Sequence, residues 1–538
     1  MTLIEAMANA NGIVSRYKRR RQLWRRFATY SLVLSIALVF DLYLADHLAN
    51  NDPNDGKLYS QMARNLNERG VFSAEPAEPF TPTLIRLPGY PLFIAGVYHF
   101  FGEGNDQAVR LSQGVLHFVA ALIVGAIAWF WCPGSKRRRR KAYLAAFVLA
   151  AFCPFTAIYS ATILTEVLTT LLLAICTLTV SVALDGEGSV ALFWWAASGI
   201  YFGTAVLVRP DSGLFALGAG LTLIISYLTG RPHRKTLLRI AVEGAIFCAA
   251  FSTMLVPWTI RNEKIFGVFQ PLSPKHAEAP GEFVPEGYFL WVRTWIDDQR
   301  YIGPALWDLE EKPITVDSLP ESAFDSEEEK QRIAALLDQY NHSSPPDQSA
   351  NEDQSDEGES SDTGDDEPDQ AEDADEELDL TISPEVDAGF RQIANERITR
   401  NPIRYYIELP AERGVSMWFD THSKYYPFDG ELFPLKDMDT ETYQHLWLPA
   451  FATLVWLYTI LAVVGAAFLW ISKRGRILVL LALMLSLPRI FYFSTLENPE
   501  PRYFVELFIF CAILAGIVLS RVRFRFEKRL IGIELTYP

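Results

Sequence analysis

A handful of residues in this chain have types and spacings suited to chemistry. Asp55 stands in "NDPNDGKLYSQMARNLNERG" (51–70), with Asp52 just before it, and Arg86 follows in "LIRLPGYPLF". Glu166 lies in "TEVLTT", Arg209 in "VLVRPDSG", Arg261 in "PWTIRNEKIFG", and Arg502 with Tyr503 in "LENPEPRYFVEL". A positioned carboxylate takes a proton from a reacting hydroxyl. Arginine offers a planar, permanently charged fork that matches phosphate oxygens. Each also has a structural reading. Asp55 suits a helix cap, Arg86 can snorkel to the headgroups, and Arg209 has Asp211 beside it to pair with. Glu166 lies inside an apolar block, where an ionisable group costs about 2.5–3.5 kcal/mol on insertion and faces a polar cavity or a partner.

The elements that must position these residues follow from spacing. Asp55, Tyr59 and Ala63 recur every four residues, with Leu66 and Gly70 after them. This predicts a helix with Asp55 at its N-terminus, lying along the membrane surface. Pro88, Gly89, Tyr90 and Pro91 predict a rigid turn feeding an apolar helix. Pro257 is expected to end or kink a long span, Trp258 to anchor at the interface, and Arg261 to emerge at the depth of lipid phosphate.

Those elements belong to a membrane bundle. Half of the 538 residues are apolar, and they come in long blocks rather than amphipathic patterns. A crossing helix needs about 20 apolar residues, which gives about ten spans. They lie near 27–46, 107–131, 142–159, 162–184, 190–208, 211–229, 237–259, 446–471, 476–495 and 503–520. The fold class is therefore an all-α polytopic membrane protein. The clusters "RYKRRRQLWRR", "SKRRRRK", "RPHRK", "SKRGR" and "RVRFRFEKR" all fall on one face if the spans alternate from a cytoplasmic N-terminus. Both termini are then cytoplasmic, in the cell (inner) membrane, and the candidate residues face the other side. The first span has no small-residue cleavage site after it and reads as an uncleaved anchor.

The domain reading runs in order along the chain: a basic N-terminus (1–26), a transmembrane module (27–259) with a first outer loop (46–106), an outer segment (260–445), C-terminal helices (446–520) and a tail (521–538). The net charge of −16 belongs to one stretch, because Asp347 to Asp379 holds seventeen acidic residues and no basic one. That insert, about 342–380, has almost no apolar surface and reads as a disordered linker. It shows no EF-hand spacing. Around it, "GYFLWVRTWIDDQRYIGPALWDLE" and "NPIRYYIELPAERGVSMWFD" are rich in aromatics, with interface anchoring as the commoner use. The five cysteines fall in or beside apolar blocks and imply no disulfide framework. No zinc spacing, phosphate loop or nucleophile elbow is present, and no nucleic-acid partner is expected.

With these residues in view, the chain resembles the GT-C glycosyltransferases, in the bacterial family 39 branch related to protein O-mannosyltransferases and aminoarabinose transferases. The resemblance rests on "NDGKLYSQMARNL", "RLPGYPLF", "TE", "GTAVLVRP", "PWTIRN" and "EPRY". It implies a polyprenyl-phosphate sugar as donor, transfer on the outer face, and a glycan, lipid or protein acceptor. It also implies that Asp55 matches the family's acidic residue at the reaction centre. The family often carries an Asp-Glu pair there, whereas Gly56 follows Asp55 here. This leaves open whether Asp52, Glu166 or no residue supplies a second carboxylate. Metal dependence is likewise open, since some GT-C enzymes use a divalent ion and many members of this family do not.

In the mechanism that this suggests, Asp55 takes the acceptor's proton while Arg261 and Arg502, joined by Arg86, stabilise the departing phosphate. Glu166 orients the acceptor or the base, and Tyr59, Tyr90, Arg209 and Tyr503 line the substrate site. Two other readings stand beside it. A transporter of lipid-linked substrate would show internal repeats and midplane charges, but here the halves are unlike and the charged candidates sit at outer ends. A glycan polymerase or ligase would keep the lipid-phosphate chemistry and change the acceptor.

Overall fold

The computed structural model describes residues 24, 28–48, 54–230, 236–276, 278, 281–307, 309, 312–342, 382–428, 430, 442–527 and 530–535. Its helices are α1 (Ala28–His47), α2 (Asn54–Arg69), α3 (Gly89–Phe101), α4 (Asp106–Trp131), α5 (Lys136–Ala151) and α6 (Pro154–Ala157). There follow α7 (Glu166–Asp185), α8 (Gly188–Val208), α9 (Gly213–Thr229), α10 (Leu237–Phe266), α11 (Glu286–Val292) and α12 (Glu327–Asn341). The last are α13 (Pro384–Arg400), α14 (Leu409–Phe419), α15 (Thr442–Trp470), α16 (Lys473–Ser494) and α17 (Phe508–Leu519). The expected all-α polytopic architecture is borne out. One addition follows α17, an antiparallel hairpin of β1 (Val522–Glu527) and β2 (Leu530–Leu535) in which Val522 pairs with Leu535. The chain forms two compact units, Met1–Glu282 with Phe419–Ile490 and Arg502–Pro538, and Phe283–Trp418 with Phe491–Pro501.

In the first unit, nine helices among the described residues are long and apolar enough to cross a membrane, and up to ten if α5 and the α6 segment form one broken span. The span expected over 142–159 is bent by 51° where Lys136–Ala151 gives way to Pro154–Ala161. Pro154 has no N–H to continue the ladder, so the helix restarts. Buried polar groups hold the restart in place. His117 on α4 meets Asp41 on α1 at 2.9 Å and the Thr156 hydroxyl at 3.0 Å. Gln113, one turn earlier on α4, donates to the Thr162 carbonyl at 2.8 Å.

Contacts at helix ends show that the broken span makes one crossing. Arg474, at the start of α16, pairs with Asp185 at the end of α7 (2.6 Å) and donates to the Phe130 carbonyl near the end of α4 (3.1 Å). The basic residues that open α5 therefore lie at the same end. At the far end of α7, Glu166 pairs with Arg209, which follows α8. Between those ends α7 spans about 30 Å at 1.5 Å per residue, and the α5–α6 chain covers the same distance. The basic residues that open α5 and α16 thus lie at one end and the motif residues at the other.

Helix contacts in this bundle depend on small residues. Gly199 and Gly203 on α8 face α10 closely enough that a Cβ on Gly203 would lie 2.6 Å from the Phe251 carbonyl. The same α10 bears on two expectations, and of an end or a kink at Pro257 it excludes the end. It runs through Pro257 to Phe266 and stops at Gly267, whose φ of 68° is left-handed. Trp258 is buried rather than interfacial, packed with Met62, Phe72, Leu84 and Leu87 and edge-on to Phe72. Apolar burial beyond the proline sustains the helix where loss of one backbone hydrogen bond would otherwise end it.

The second unit has a core of its own. Tyr288, Trp291 and Trp295, expected as interface anchors, are buried there with Phe390 and Leu337. The Asp387 carboxylate accepts from the Gly287 and Tyr288 amides (2.6 and 2.9 Å), so α13 caps the start of α11. Arg332 on α12 forks onto Glu396 on α13 at 2.6 and 3.1 Å. The acidic insert lies outside the described residues, as does Asp52.

Candidate active site

Asp55 occupies the first turn of α2, where the helix dipole favours a negative charge. Its Oδ1 accepts from Arg86 Nη2 at 2.8 Å, and its Oδ2 lies 3.7 Å from Arg502 Nη2. All three side chains keep some exposure, 32% for Asp55, 25% for Arg86 and 16% for Arg502. Burial raises the carboxyl's pKa, but the charges of Arg86 and Arg502, the Arg86 hydrogen bond and the charge of Arg209 outweigh it and hold Asp55 below the usual carboxylate range. The group is therefore ionised and, in this arrangement, a weak base. Tyr59 lies one turn along the same helix. Burial first, and then the Asp55 charge, push its phenol up to about 12, so it stays a neutral hydroxyl at neutral pH.

The turn that carries Arg86 is held from two sides. A Cβ on Gly89 would lie 2.6 Å from the Leu207 carbonyl, so only glycine lets "RLPGYP" rest on the end of α8 just ahead of Arg209. On the other side, Arg261 donates to the Thr83 carbonyl at 2.7 Å. Its guanidinium lies over Trp258, Phe266 and Phe72 at 4.7, 5.2 and 5.5 Å. Arg261, expected on the donor phosphate, holds this loop through that hydrogen bond and keeps intermediate exposure. It is drawn to the loop because the α10 extension carries it back into an aromatic cage. Tyr90 is also drawn into packing. Its hydroxyl donates to Gln113 Oε1 at 2.6 Å, and its ring meets Tyr59 edge-on with centroids 5.1 Å apart.

Behind the exposed trio lies a buried charge network. Arg209 Nη1 reaches Glu166 Oε1 at 3.0 Å and Glu506 Oε1 at 3.1 Å, while its Nε reaches Asp211 Oδ1 at 2.9 Å. Arg489, fully buried, pairs with Glu506 at 3.3 Å and with Asp211. Its Nε donates to the Tyr503 carbonyl at 2.7 Å. The Tyr503 ring lies near both the Arg209 and the Arg502 guanidinium, at 5.3 and 5.4 Å. This is the connection from the network to the site. Arg489 fixes the Tyr503 backbone, and the Tyr503 ring supports Arg502 beside Asp55. Glu166, expected to orient the acceptor or the base, meets Arg209, whose charge in turn bears on Asp55. Of the residues singled out in the sequence, Asp55, Tyr59, Arg86, Arg209, Tyr503 and Arg502 come together directly.

Arg489 and Glu506 are the functional candidates that sequence reasoning missed. A signal was present, because "LSLPRIFYF" and "YFVELFIF" each set one ionisable residue in an apolar block, the criterion that singled out Glu166. Among the described residues no group of three or more His, Cys, Asp or Glu is arranged to hold a metal ion. The three buried acids of the network are each turned onto an arginine.

Residues 81–258, a third of the chain, match the family model described as dolichyl-phosphate-mannose-protein mannosyltransferase. This segment includes Arg86, Tyr90, Glu166 and Arg209. The GT-C glycosyltransferase type implied by the motifs is borne out by this match. The chain is also similar to the crystal structure of ArnT from Cupriavidus metallidurans bound to undecaprenyl phosphate, with 11% identity and a TM-score of 0.38, over 92% of this chain and 77% of that one. For ArnT of the same organism in the apo state the values are 13%, 0.34, 91% and 78%. No curated protein sequence matches the chain.

Proposed function

We propose that the chain transfers a sugar from a polyprenyl-phosphate donor to an acceptor hydroxyl at the extracytoplasmic end of the bundle, with inversion at the anomeric carbon. The family match supports sugar transfer. The basic residues that open α5 and α16 lie at the opposite end of the bundle, which supports the assignment of faces. The observation that carries the reading is Asp55 bridged by Arg86 and Arg502 at a partly exposed helix N-terminus. A proton acceptor and two phosphate-binding cations share one small site.

The same geometry suggests how the base is switched on. Arg86 and Arg502 depress the Asp55 pKa while they face it alone. A donor phosphate takes up part of their hydrogen bonding and charge, so Asp55 becomes a stronger base once the donor is bound. Asp55 then accepts the acceptor's hydroxyl proton as that oxygen forms the new bond to the anomeric carbon. The carbon–oxygen bond to phosphate breaks on the opposite side, and its electron pair leaves with the polyprenyl phosphate. Arg86 and Arg502, preorganised by Tyr503 and the buried network, hold that added charge.

The test uses the full chain in lipid nanodiscs with labelled polyprenyl-phosphate sugars and a panel of glycan, lipid and peptide acceptors. Asp55→Asn should fold and bind donor while losing transfer by about 10²-fold or more. Wild-type transfer in that variant would sink the base assignment. Label that crosses the bilayer of sealed vesicles without a new glycoside would identify a transporter instead.

A further inference from the structure

We infer that the basic end of the bundle holds a binding site for one anionic glycerophospholipid, in the groove between α1, α4 and α5. The groove has a volume of about 430 Å³ and is lined by Tyr30, Ala126, Trp129, Arg140 and Tyr143. Its described walls are almost wholly apolar or aromatic, and among the described residues no carboxylate lines it. Gly125 brings α4 and α5 together, since a Cβ there would lie 3.0 Å from the Tyr143 carbonyl. Tyr30 and Trp129 keep 38% and 40% of their surface exposed beside this contact.

The arginines at the rim have different duties. Arg139 is committed to the fold, donating to the Cys132 carbonyl at 3.2 Å and lying over the Trp129 ring at 5.3 Å. Arg140 is exposed and makes no hydrogen bond or ion pair among the described residues. It points chemistry at the groove that the fold does not consume. An amphiphile with one anionic head fits this arrangement. Its acyl chain lies along Ala126 and Trp129, its phosphate meets Arg140, and the tyrosine hydroxyls stand at headgroup level, where aromatic belts form. Lys136, Arg137 and Arg138 on the first turn of α5 add to the attraction for a negative headgroup. This site lies at the end opposite the sugar-transfer residues and stands apart from the reading proposed for them.

The experiment counts lipids retained by the purified, delipidated full chain in native mass spectrometry, after titration with mixed micelles of phosphatidylglycerol or phosphatidylcholine. The wild type should retain one phosphatidylglycerol in preference to phosphatidylcholine, and Arg140→Gln should weaken that retention about fivefold, the effect of one basic residue at an anionic surface. Lys473→Gln removes an exposed charge at the same end but outside the groove, and it should leave retention unchanged. Tyr143→Ala should weaken both lipids by opening the aromatic wall. Equal losses in Arg140→Gln and Lys473→Gln, or no loss in either, would overturn the site. So would displacement of the lipid by inorganic phosphate alone, which would show that the groove's apolar wall contributes nothing.

Discussion

Asp55 is held by the two arginines that the proposed chemistry needs for phosphate, and this sets its behaviour with pH. Both guanidiniums hold its pKa below the usual range, so the acid limb of kcat/KM should lie below the ordinary carboxylate titration. Arg86→Gln removes one depressing charge. The Asp55 pKa then rises, and the acid limb should move to higher pH. A pH–rate profile of the variant checks this, and an unmoved limb would mean that another group titrates. Arg489 makes a different prediction, because it is fully buried between two acids. Arg489→Met leaves Asp211 and Glu506 without that cation and should cost about 3–5 kcal/mol of stability. Arg489→Lys should recover stability in part but lack the Nε contact to the Tyr503 carbonyl. Its donor KM should therefore rise even where its thermal melt is near wild type. At this scale the sequence showed which residue types were unusual. It could not show that Glu166 meets Arg209 or that Arg261 holds the Thr83 carbonyl, because those partners lie far away along the chain.

At the scale of elements, the long hydropathy blocks were legible and their interruptions less so. Pro154 and Pro257 are the same residue type with opposite outcomes. After Pro154 the chain bends by 51°, with His117, Asp41 and Gln113 satisfying polar groups around the break. Through Pro257 the helix continues, because Trp258 and Phe266 pack against the first loop. Tertiary packing decides between the two. The glycines allow a direct comparison. Gly203→Ala places a Cβ against the α10 backbone and should destabilise by about 1–3 kcal/mol through overpacking. Gly244→Ala meets nothing nearer than a Leu223 methyl at 4.0 Å and should be neutral or slightly stabilising, as expected for Gly→Ala within a helix. Thermal unfolding of the two variants in one detergent checks the contrast, and equal melting points would contradict the close α8–α10 contact.

For the whole molecule, the net charge of −16 misleads, since the acidic run from Asp347 to Asp379 accounts for it. The second unit closes without that run, through Arg332 on Glu396 and the Asp387 cap on α11. Replacing residues 343–381 with a short Gly/Ser linker should therefore leave the melting temperature and sugar transfer close to wild type. A large loss of either would give the insert a role beyond connection. Sequence by itself determined the polytopic all-helical class, the basic runs between apolar blocks and the motif set around Asp55. Those properties are local, set by runs of apolar side chains and by charges counted along the chain. The tertiary structure decided the pairings. Arg86 reaches Asp55 across 31 residues and Arg209 reaches Glu506 across 297. Which acid meets which arginine depends on how closely helices approach at positions such as Gly89 and on which buried charges neutralise one another. Neither property resides in any single stretch of the chain.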